Sequence, residues 1–145
     1  MKCLLQRVKS AHVDINGTTV GSIEHGLLAF ICAEPTDTED TIARAVDKIL
    51  KLRIFSDDNG KMNCSLTQTQ GGLLVVSQFT LAADTRKGNR PSFTQAAPAA
   101  QGKALYKAFL HQAKLKHPNV ASGEFGADMQ IHLINDGPVT IPLSF

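Results

Sequence analysis

The stretch LLQRVKSAHVDINGTTVGSIEHGLLAFIC, residues 4–32, decides the fold. Residues 4–15 are rich in apolar and β-branched side chains, and Asn16-Gly17 supplies the two positive φ angles that a tight hairpin turn requires. Thr18–Ile23 then returns as a second strand. The continuous apolar run Gly26–Cys32 predicts a third strand that is buried on both faces. A sheet therefore lies at the centre of the expected fold.

Two segments have the periodicity of amphipathic helices. Apolar residues recur at helical spacing over about Thr38–Leu52, and Thr36 and Glu39 before it have the spacing of a capping box. A second helix is predicted over Pro98–His117. One side of that helix is formed by Ala104, Leu105, Ala108, Phe109, Gln112 and Leu115.

Further strands follow the first helix. Leu73–Gln78 is a continuous apolar strand that runs into Phe79-Thr80-Leu81, and residues 129–134 alternate as a strand with two different faces does. Asp136-Gly137-Pro138 interrupts the chain before a last strand, Val139–Leu143. The order of elements predicts the α+β class: a curved, mostly antiparallel sheet or barrel with two main helices packed on it.

Composition sets the broad class of the protein. With 145 residues, of which 43% are hydrophobic and 19% charged, the chain fits a single domain, 1–145, with a real core. The net charge of +2 and the lack of a charge run predict that any contact with nucleic acid is small or confined to one patch. An early charge in the N-terminal segment argues against a signal peptide, and no apolar run approaches a membrane span, so we expect a cytoplasmic protein with no membrane contact.

Cysteine and histidine spacing gives no indication of a metal centre. Cys3, Cys32 and Cys64 are odd in number and widely separated, which favours reduced, mostly buried thiols. The five histidines have no ligand spacing with them: His12, His25, His111, His117 and His132. Asp57-Asp58 could be read as paired carboxylates, but the neighbouring Asn59-Gly60 favours a solvated turn. No metal and no cofactor are expected.

The segment Ser77-Gln78-Phe79-Thr80-Leu81 places hydroxyl and amide groups at the end of a buried strand, just before a polar loop. Strand ends next to loops are common places for a binding site on a rigid scaffold. The alternative is that the hydroxyl groups are satisfied by neighbouring backbone. Spacing alone slightly favours this alternative.

The segment Asn135-Asp136-Gly137-Pro138-Val139-Thr140 has the composition of a turn between two strands. A functional interpretation requires a cis peptide bond at Gly137-Pro138 that directs backbone carbonyl groups into a pocket. Cis bonds are uncommon even before proline, so composition supports the plain turn and does not predict the cis bond.

Together these segments resemble the D-aminoacyl-tRNA deacylase family, and the resemblance covers nearly the whole chain. The matching motifs, in order, are Gln6-Arg7-Val8, Arg53-Ile54-Phe55-Ser56-Asp57, Gly60-Lys61-Met62-Asn63, Ser77-Gln78-Phe79-Thr80-Leu81, Arg90-Pro91-Ser92-Phe93, Phe125-Gly126-Ala127-Asp128-Met129 and Asn135-Asp136-Gly137-Pro138-Val139-Thr140. Neither of the two signature segments departs from the family pattern.

The resemblance implies a hydrolase without a cofactor. Its substrate would be the ester that joins a D-amino acid, or glycine on mischarged tRNA, to the 3′-terminal adenosine of tRNA. The family is homodimeric with its active site at the subunit interface. Gly137-Pro138 would be cis, would enter the partner's pocket, and would reject L-aminoacyl-tRNA by its backbone.

The resemblance also implies roles for individual residues. The expected catalytic residues are Thr80, Phe79, Gly137 and Pro138, and the expected substrate contacts are Ser77, Gln78, Met129 and Asn135. Weaker contacts with tRNA are expected from the basic residues of the polar loop, Arg86, Lys87 and Arg90, although a solvated basic turn explains them equally simply. Phe79 would border the terminal adenine or would be a core side chain.

The chemistry is open at this stage. Neither signature contains a histidine or lysine to activate Thr80, so we expect Thr80 to orient the substrate without being acylated. Two other classes of function compete: a non-catalytic RNA-binding module with this fold, and an esterase or thioesterase that acts on small metabolites.

Overall fold

Strand β1 (Lys2–Ile15) organises the sheet in a computed structural model that describes residues 1–145. It pairs antiparallel with β2 (Thr18–Ile23) and β3 (Gly26–Cys32) along one edge, and with β8 (Gln130–Ser144) along the other. The hairpin prediction is confirmed, since Asn16 and Gly17 have φ angles of 50° and 77°.

The sheet continues through two parallel strands. β6 (Gly72–Ser77) pairs parallel with β3, and β7 (Val120–Ser122) pairs parallel with β6. The order is β2-β1-β3-β6-β7, with β8 on the free edge of β1. The predicted curved, mostly antiparallel sheet is therefore confirmed, with these two parallel pairs as an addition.

Glycines let backbones approach closely where the sheet curves towards closure. A Cβ atom at Gly21 in β2 would lie 2.6 Å from the carbonyl oxygen of Ser122 in β7, at the opposite end of the strand order. A Cβ atom at Gly26 would lie 1.9 Å from the carbonyl oxygen of Gly72. No side chain fits at these positions, so the barrel-like curvature depends on glycine.

The central strands are buried on both faces, as their continuous apolar runs predicted. Alternate residues of β3 and β6 contribute to two different clusters of buried side chains. The cluster on the helix-covered face includes Leu27, Ala29, Ile31, Leu73 and Val75. The cluster on the other face includes Leu28, Leu74 and Val76.

The two predicted main helices are confirmed as α1 (Glu39–Lys51) and α3 (Ala99–Lys116). Smaller elements lie between them: β4 (Arg53–Ser56), β5 (Met62–Ser65) and the short helix α2 (Leu66–Thr69). No helix is long and apolar enough to cross a bilayer. The turn at Asp57 is also confirmed, because its carboxylate accepts hydrogen bonds from nearby backbone N–H groups, that of Lys61 first, and these lower its pKa.

The capping box of α1 is two residues later than predicted. Thr38 Oγ1 accepts from the N–H of Thr41 at 3.3 Å, and Thr41 Oγ1 accepts from the N–H of Thr38 at 3.2 Å. The predicted pair Thr36 and Glu39 does not form a cap, because residues 34–37 form a turn of their own, with the N–H of Asp37 donating to the carbonyl oxygen of Glu34 at 3.1 Å.

The buried face of α3 also differs from the predicted one. Gly102, Tyr106, Phe109 and Ala113 are buried, whereas Leu115 is 68% exposed. These four residues form a stripe at helical spacing, and small residues in it let the helix approach its neighbours. The predicted face is therefore confirmed at Phe109 and at the half-buried Leu105 and Ala108, and wrong at the exposed Ala104 and Leu115.

Two predicted strand boundaries are wrong for a related reason. Phe79–Ala82 forms a 3₁₀ turn and not an extension of β6. Asp136-Gly137-Pro138 does not divide the last strand, because β8 continues through it while its register against β1 shifts around Arg7. Hydrogen bonds to the backbone of each segment set its conformation: the N–H of Ala83 donates to the carbonyl oxygen of Thr80 in the turn, and the N–H of Val139 donates to the Asn135 side chain in β8. The pattern of apolar residues does not indicate such bonds.

Candidate active site

A cavity of about 690 Å³ opens where β3 and β6 end. Because these strands are parallel, their carboxyl ends meet at one edge of the sheet, which is where ligands commonly bind in sheets of this kind. Fourteen of its 19 lining residues are hydrophobic. They include Ile31, Val76, Ala97, Phe125 and Ile131.

Tyr106 forms a buried part of the cavity wall that the sequence analysis missed. Its hydroxyl group donates to the carbonyl oxygen of Val75 at 2.8 Å, and the N–H of Gly123 donates to the same oxygen at 3.0 Å. Burial raises the pKa of Tyr106, so the phenol stays neutral. The available signal was that the only tyrosine of the chain lies within an amphipathic helix.

Phe79 lies at the mouth of the cavity. Its side chain is 58% exposed and packs edge-to-face on Phe93, with 5.0 Å between ring centroids. The carbonyl oxygen of Phe79 lies 3.6 Å from Cys32 Sγ, which donates to it. Phe79 is therefore not a core phenylalanine, and the core alternative is wrong.

Gln78 and Thr80 form a polar pair at the strand end. The side-chain amide of Gln78 donates to Thr80 Oγ1 at 2.5 Å, so that oxygen acts as an acceptor and its own proton remains available to a ligand. In a 3₁₀ turn that begins at Phe79, the first N–H groups have no partner within the turn. The segment therefore has backbone hydrogen-bond donors without a partner in the turn, next to the cavity lining.

The lining contains no group that is ready to act as a base. Its ionisable side chains are Cys32 and Tyr106, and burial raises the pKa of both. Both therefore remain neutral near neutral pH. Such a cavity can position a substrate and water, but it does not itself remove a proton through a charged side chain.

The second signature segment is a part of β8 that side-chain hydrogen bonds hold in shape. The Asn135 side chain accepts from the N–H of Val139 at 2.8 Å and donates to Thr140 Oγ1 at 2.9 Å, so it bridges the intervening residues. The Gly137-Pro138 peptide bond is cis, as the resemblance implied, and both residues are exposed.

Arg7 braces the same segment from β1, a role that the sequence analysis did not assign. Its Nε donates to the carbonyl oxygen of Asp136 at 3.0 Å, and its Nη1 donates to that of Ile54 at 2.6 Å. Gly137 has a φ of 136°, and a Cβ atom there would lie 2.8 Å from Val139 Cγ2 and 3.1 Å from Arg7 Nη2. The signal in the sequence was that Arg7 belongs to the family motif Gln6-Arg7-Val8.

The structure brings together some of the expected site residues and not others. Ser77, Gln78, Phe79 and Met129 line the cavity, and Thr80 lies beside it. Asn135, Gly137 and Pro138 do not line the cavity of their own chain. The basic loop, residues 83–92, places Arg86, Lys87 and Arg90 at the exposed surface.

Comparison with known families decides the relationship. The family described as D-Tyr-tRNA(Tyr) deacylase matches residues 4–144 of the chain. The chain belongs to this family.

Curated relatives match this chain along almost their whole length. A protein of Variovorax paradoxus (strain S110) is 63% identical over 143 residues, which cover 99% of this chain and 98% of that protein. A protein of Ectopseudomonas mendocina (strain ymp) is 58% identical over 143 residues, with 99% of both chains covered. Both bear the name D-aminoacyl-tRNA deacylase.

Solved structures confirm the family's fold for this chain. One, named c-Myc DNA Unwinding Element Binding Protein, has a TM-score of 0.95 and 39% identity and covers 100% of this chain and 99% of its own. A second, named as a probable eukaryotic D-amino acid tRNA deacylase, has a TM-score of 0.85 at 18% identity over 98% of this chain and 97% of its own. The second likeness concerns the fold alone.

Replacing Arg7 tests the bracing of the second signature segment. Arg7→Met removes the donors to the Asp136 and Ile54 carbonyl groups while it keeps an apolar stem. We expect the free energy of unfolding to fall by about 2–3 kcal/mol, because hydrogen bonds to a charged group are lost from a partly buried site. Urea denaturation measures the change. Lys9→Met on the same strand is the matched control and should stay within about 0.5 kcal/mol of the unaltered protein; equal effects of the two changes would contradict the bracing role.

Proposed function

We propose that this protein hydrolyses the ester bond between a D-amino acid and the 3′-terminal adenosine of tRNA. Membership of the family and the shared name of its close relatives support the reaction. The observation that carries the proposal within the structure is the neutral, largely apolar cavity that begins at the Ser77–Thr80 segment. Such an enzyme would work in the cytoplasm, where aminoacyl-tRNA is used.

The cavity suits the end of an aminoacyl-tRNA. Phe79 and Phe93 offer aromatic surface at the mouth, and an exposed ring can stack on the terminal adenine whatever the remaining sequence of the tRNA. The polar groups of Ser77, Gln78 and Thr80 then lie where the ester would be placed. Met129, which also lines the cavity, would contact the same ligand.

We infer that catalysis rests on positioning and on stabilisation of the oxyanion. The Thr80 oxygen already accepts a hydrogen bond from Gln78, and the lining offers no charged base, so the hydroxyl group is not prepared for nucleophilic attack. An aminoacyl ester is an activated acyl group. A positioned water, with the N–H groups of Phe79 and Thr80 facing the developing oxyanion, would be sufficient.

The second signature segment would complete the site from another subunit. Gly137 and Pro138 project from β8, are exposed, and do not line the cavity of their own chain. In a homodimer with the site at its interface, each segment would enter the partner's cavity. Asn135 would then act by holding the loop in shape through Val139 and Thr140.

A braced backbone explains how strict chirality can coexist with a broad range of amino acids. A carbonyl group held towards the Cα atom of the substrate would clash with an L side chain, whereas a D side chain would point away from it. Rejection by such a built-in clash needs no pocket that fits one side chain. Glycine has no side chain to reject, so glycine on mischarged tRNA would also be released.

The basic loop would meet the phosphates of the acceptor stem. Arg86 is paired with Asp84, with 2.6 Å between its Nη2 and Oδ2 of the carboxylate, so part of its charge is already neutralised. Lys87 and Arg90 are exposed and form no ion pair within the chain. These two are therefore the better candidates for phosphate contacts.

Incubation with D- and L-aminoacyl-tRNA of one amino acid tests the function and its selectivity. We expect loss of the D ester and of glycyl-tRNA, and retention of the L ester. Gly137→Ala should slow release of the D amino acid about 100-fold, because displacing a substrate-positioning group by about 1 Å can lower the reaction rate by that factor. Gly17→Ala is the matched control, since its φ is also positive and a Cβ atom there meets nothing within 4 Å.

The other classes of function give different results in that assay. No hydrolysis of either ester would support an RNA-binding module, and hydrolysis of both would indicate a non-selective esterase. An effect of Gly17→Ala equal to that of Gly137→Ala would reject the backbone gate.

Thr80 variants separate orientation from nucleophilic attack. If Thr80 orients the substrate, Thr80→Val should lower kcat/KM by about 10- to 100-fold, as expected for one lost hydrogen bond, and Thr80→Ser should remain near the unaltered enzyme. A nucleophile would cost several orders of magnitude more. A covalent aminoacyl adduct on Thr80, trapped and detected by mass spectrometry, would overturn the proposed role.

Charge reversal in the basic loop tests the contact with tRNA. Lys87→Glu and Arg90→Glu should weaken tRNA binding at low salt, and the difference from the unaltered protein should shrink as salt rises. Filter binding over a salt series measures this. Lys107→Glu, on the exposed side of α3, is the control; affinity unchanged by the loop variants at low salt would remove the loop from the interface.

A further inference from the structure

Two histidines face each other across the β1–β8 pair. His12 and His132 are partners in the antiparallel register, and their rings are stacked with 4.4 Å between centroids and 8° between planes. Asp14 lies two residues beyond His12 and therefore on the same face of the sheet. The three side chains form one cluster, the His12–Asp14–His132 cluster.

Asp14 lies too far from either imidazole ring for a hydrogen bond. Oδ2 of Asp14 lies 3.7 Å from Nε2 of His12 and 3.6 Å from Nε2 of His132. Both distances exceed the usual hydrogen-bond range. Ligand atoms around a tetrahedral Zn²⁺ lie about 3.4 Å apart, given bonds of about 2.0–2.1 Å. All three donor atoms already lie within 4.8 Å of one another. Because the two ring planes are parallel, one of the exposed rings would turn about its Cβ–Cγ bond so that both Nε2 atoms point at a shared ion.

Thr19 positions the carboxylate. Its hydroxyl group donates to Oδ1 of Asp14 at 2.6 Å, and Oδ2 is left to face both imidazole rings. A ligating carboxylate is characteristically held by such an outer hydrogen bond, which orients it and tunes its affinity. The cluster therefore has both its donor atoms and a support for one of them.

The cluster is accessible and lies apart from the candidate active site. The side chains of His12 and His132 are 42% and 55% exposed, so an ion can reach them from solvent. Ile131, next to His132, lines the cavity. Successive side chains of a strand point to opposite faces, so the thickness of the sheet separates the histidines from the cavity.

We propose that His12, Asp14 and His132 bind one Zn²⁺ ion, with water in the remaining position. Two imidazole nitrogens and a carboxylate oxygen are a donor set for late first-row divalent ions and not for Mg²⁺ or Ca²⁺. The ion would join β8 to the end of β1 near the hairpin. Because it is remote from the cavity, it would stabilise the sheet and take no part in ester hydrolysis.

Titration of Zn²⁺ into chelator-treated protein, followed by calorimetry, tests the site. We expect one ion per chain, and a rise in Tm when Zn²⁺ is added. Co²⁺ in its place should give visible absorption bands whose intensity reports nitrogen and oxygen ligands in tetrahedral geometry. The deacylation rate should be the same with and without the ion, which keeps this test separate from that of the proposed function.

Variants locate the site. His12→Gln, His132→Gln and Asp14→Asn should each weaken Zn²⁺ binding at least about 10-fold, and Thr19→Val should weaken it about 10- to 100-fold. His111→Gln, an exposed histidine on α3, is the matched control and should have no effect. Absence of saturable binding, or affinity that is unchanged in His12→Gln and His132→Gln, would overturn the proposal.

Discussion

The pairing of β1 with β8 is the constraint on which the functional geometry depends. Between Gln6 and Ser10 the register of this pair shifts, and no residue of β8 is in register with Arg7. Its guanidinium group turns instead to the backbone of Asp136 and Ile54, and this holds the exposed Gly137-Pro138 segment in place. Further along, the same pair regains its register and sets His12 against His132. One strand pair therefore supports both the second signature segment and the His12–Asp14–His132 cluster.

The cavity on the far side of this sheet has a different character. Its ionisable lining groups are kept neutral by burial, and its polar groups are hydroxyl, amide and backbone groups at a strand end. Ester hydrolysis in such a place requires a substrate that is already activated and a geometry that is already set. An aminoacyl ester is already activated. The end of a strand that is packed on both faces provides a geometry that is already set. The family relationship and the chemistry of the cavity thus agree without any charged catalytic group.

Selection by backbone and selection by side chain make different demands on a fold. A side-chain pocket can be built from local residues. A backbone gate requires side chains that hold the backbone of the segment in one conformation, because the whole segment sets the direction of its carbonyl groups. For the gate proposed above, the holding groups would be Asn135 within the segment and Arg7 from another strand. The absence of a Cβ atom at Gly137 leaves room for Arg7 to approach.

The sequence by itself determined the elements whose cause is local. The Asn16-Gly17 turn, the doubly buried strands, the two main helices and the polar strand end at Ser77–Thr80 all follow from patterns within a few residues, and the family followed from its motifs. Tertiary structure alone decided the 3₁₀ turn at Phe79, the buried face of α3 and the exposure of Phe79. It also decided the bracing by Arg7 and the meeting of His12 with His132. These depend on which strands become neighbours, and spacing along a chain cannot report a contact that forms across a sheet.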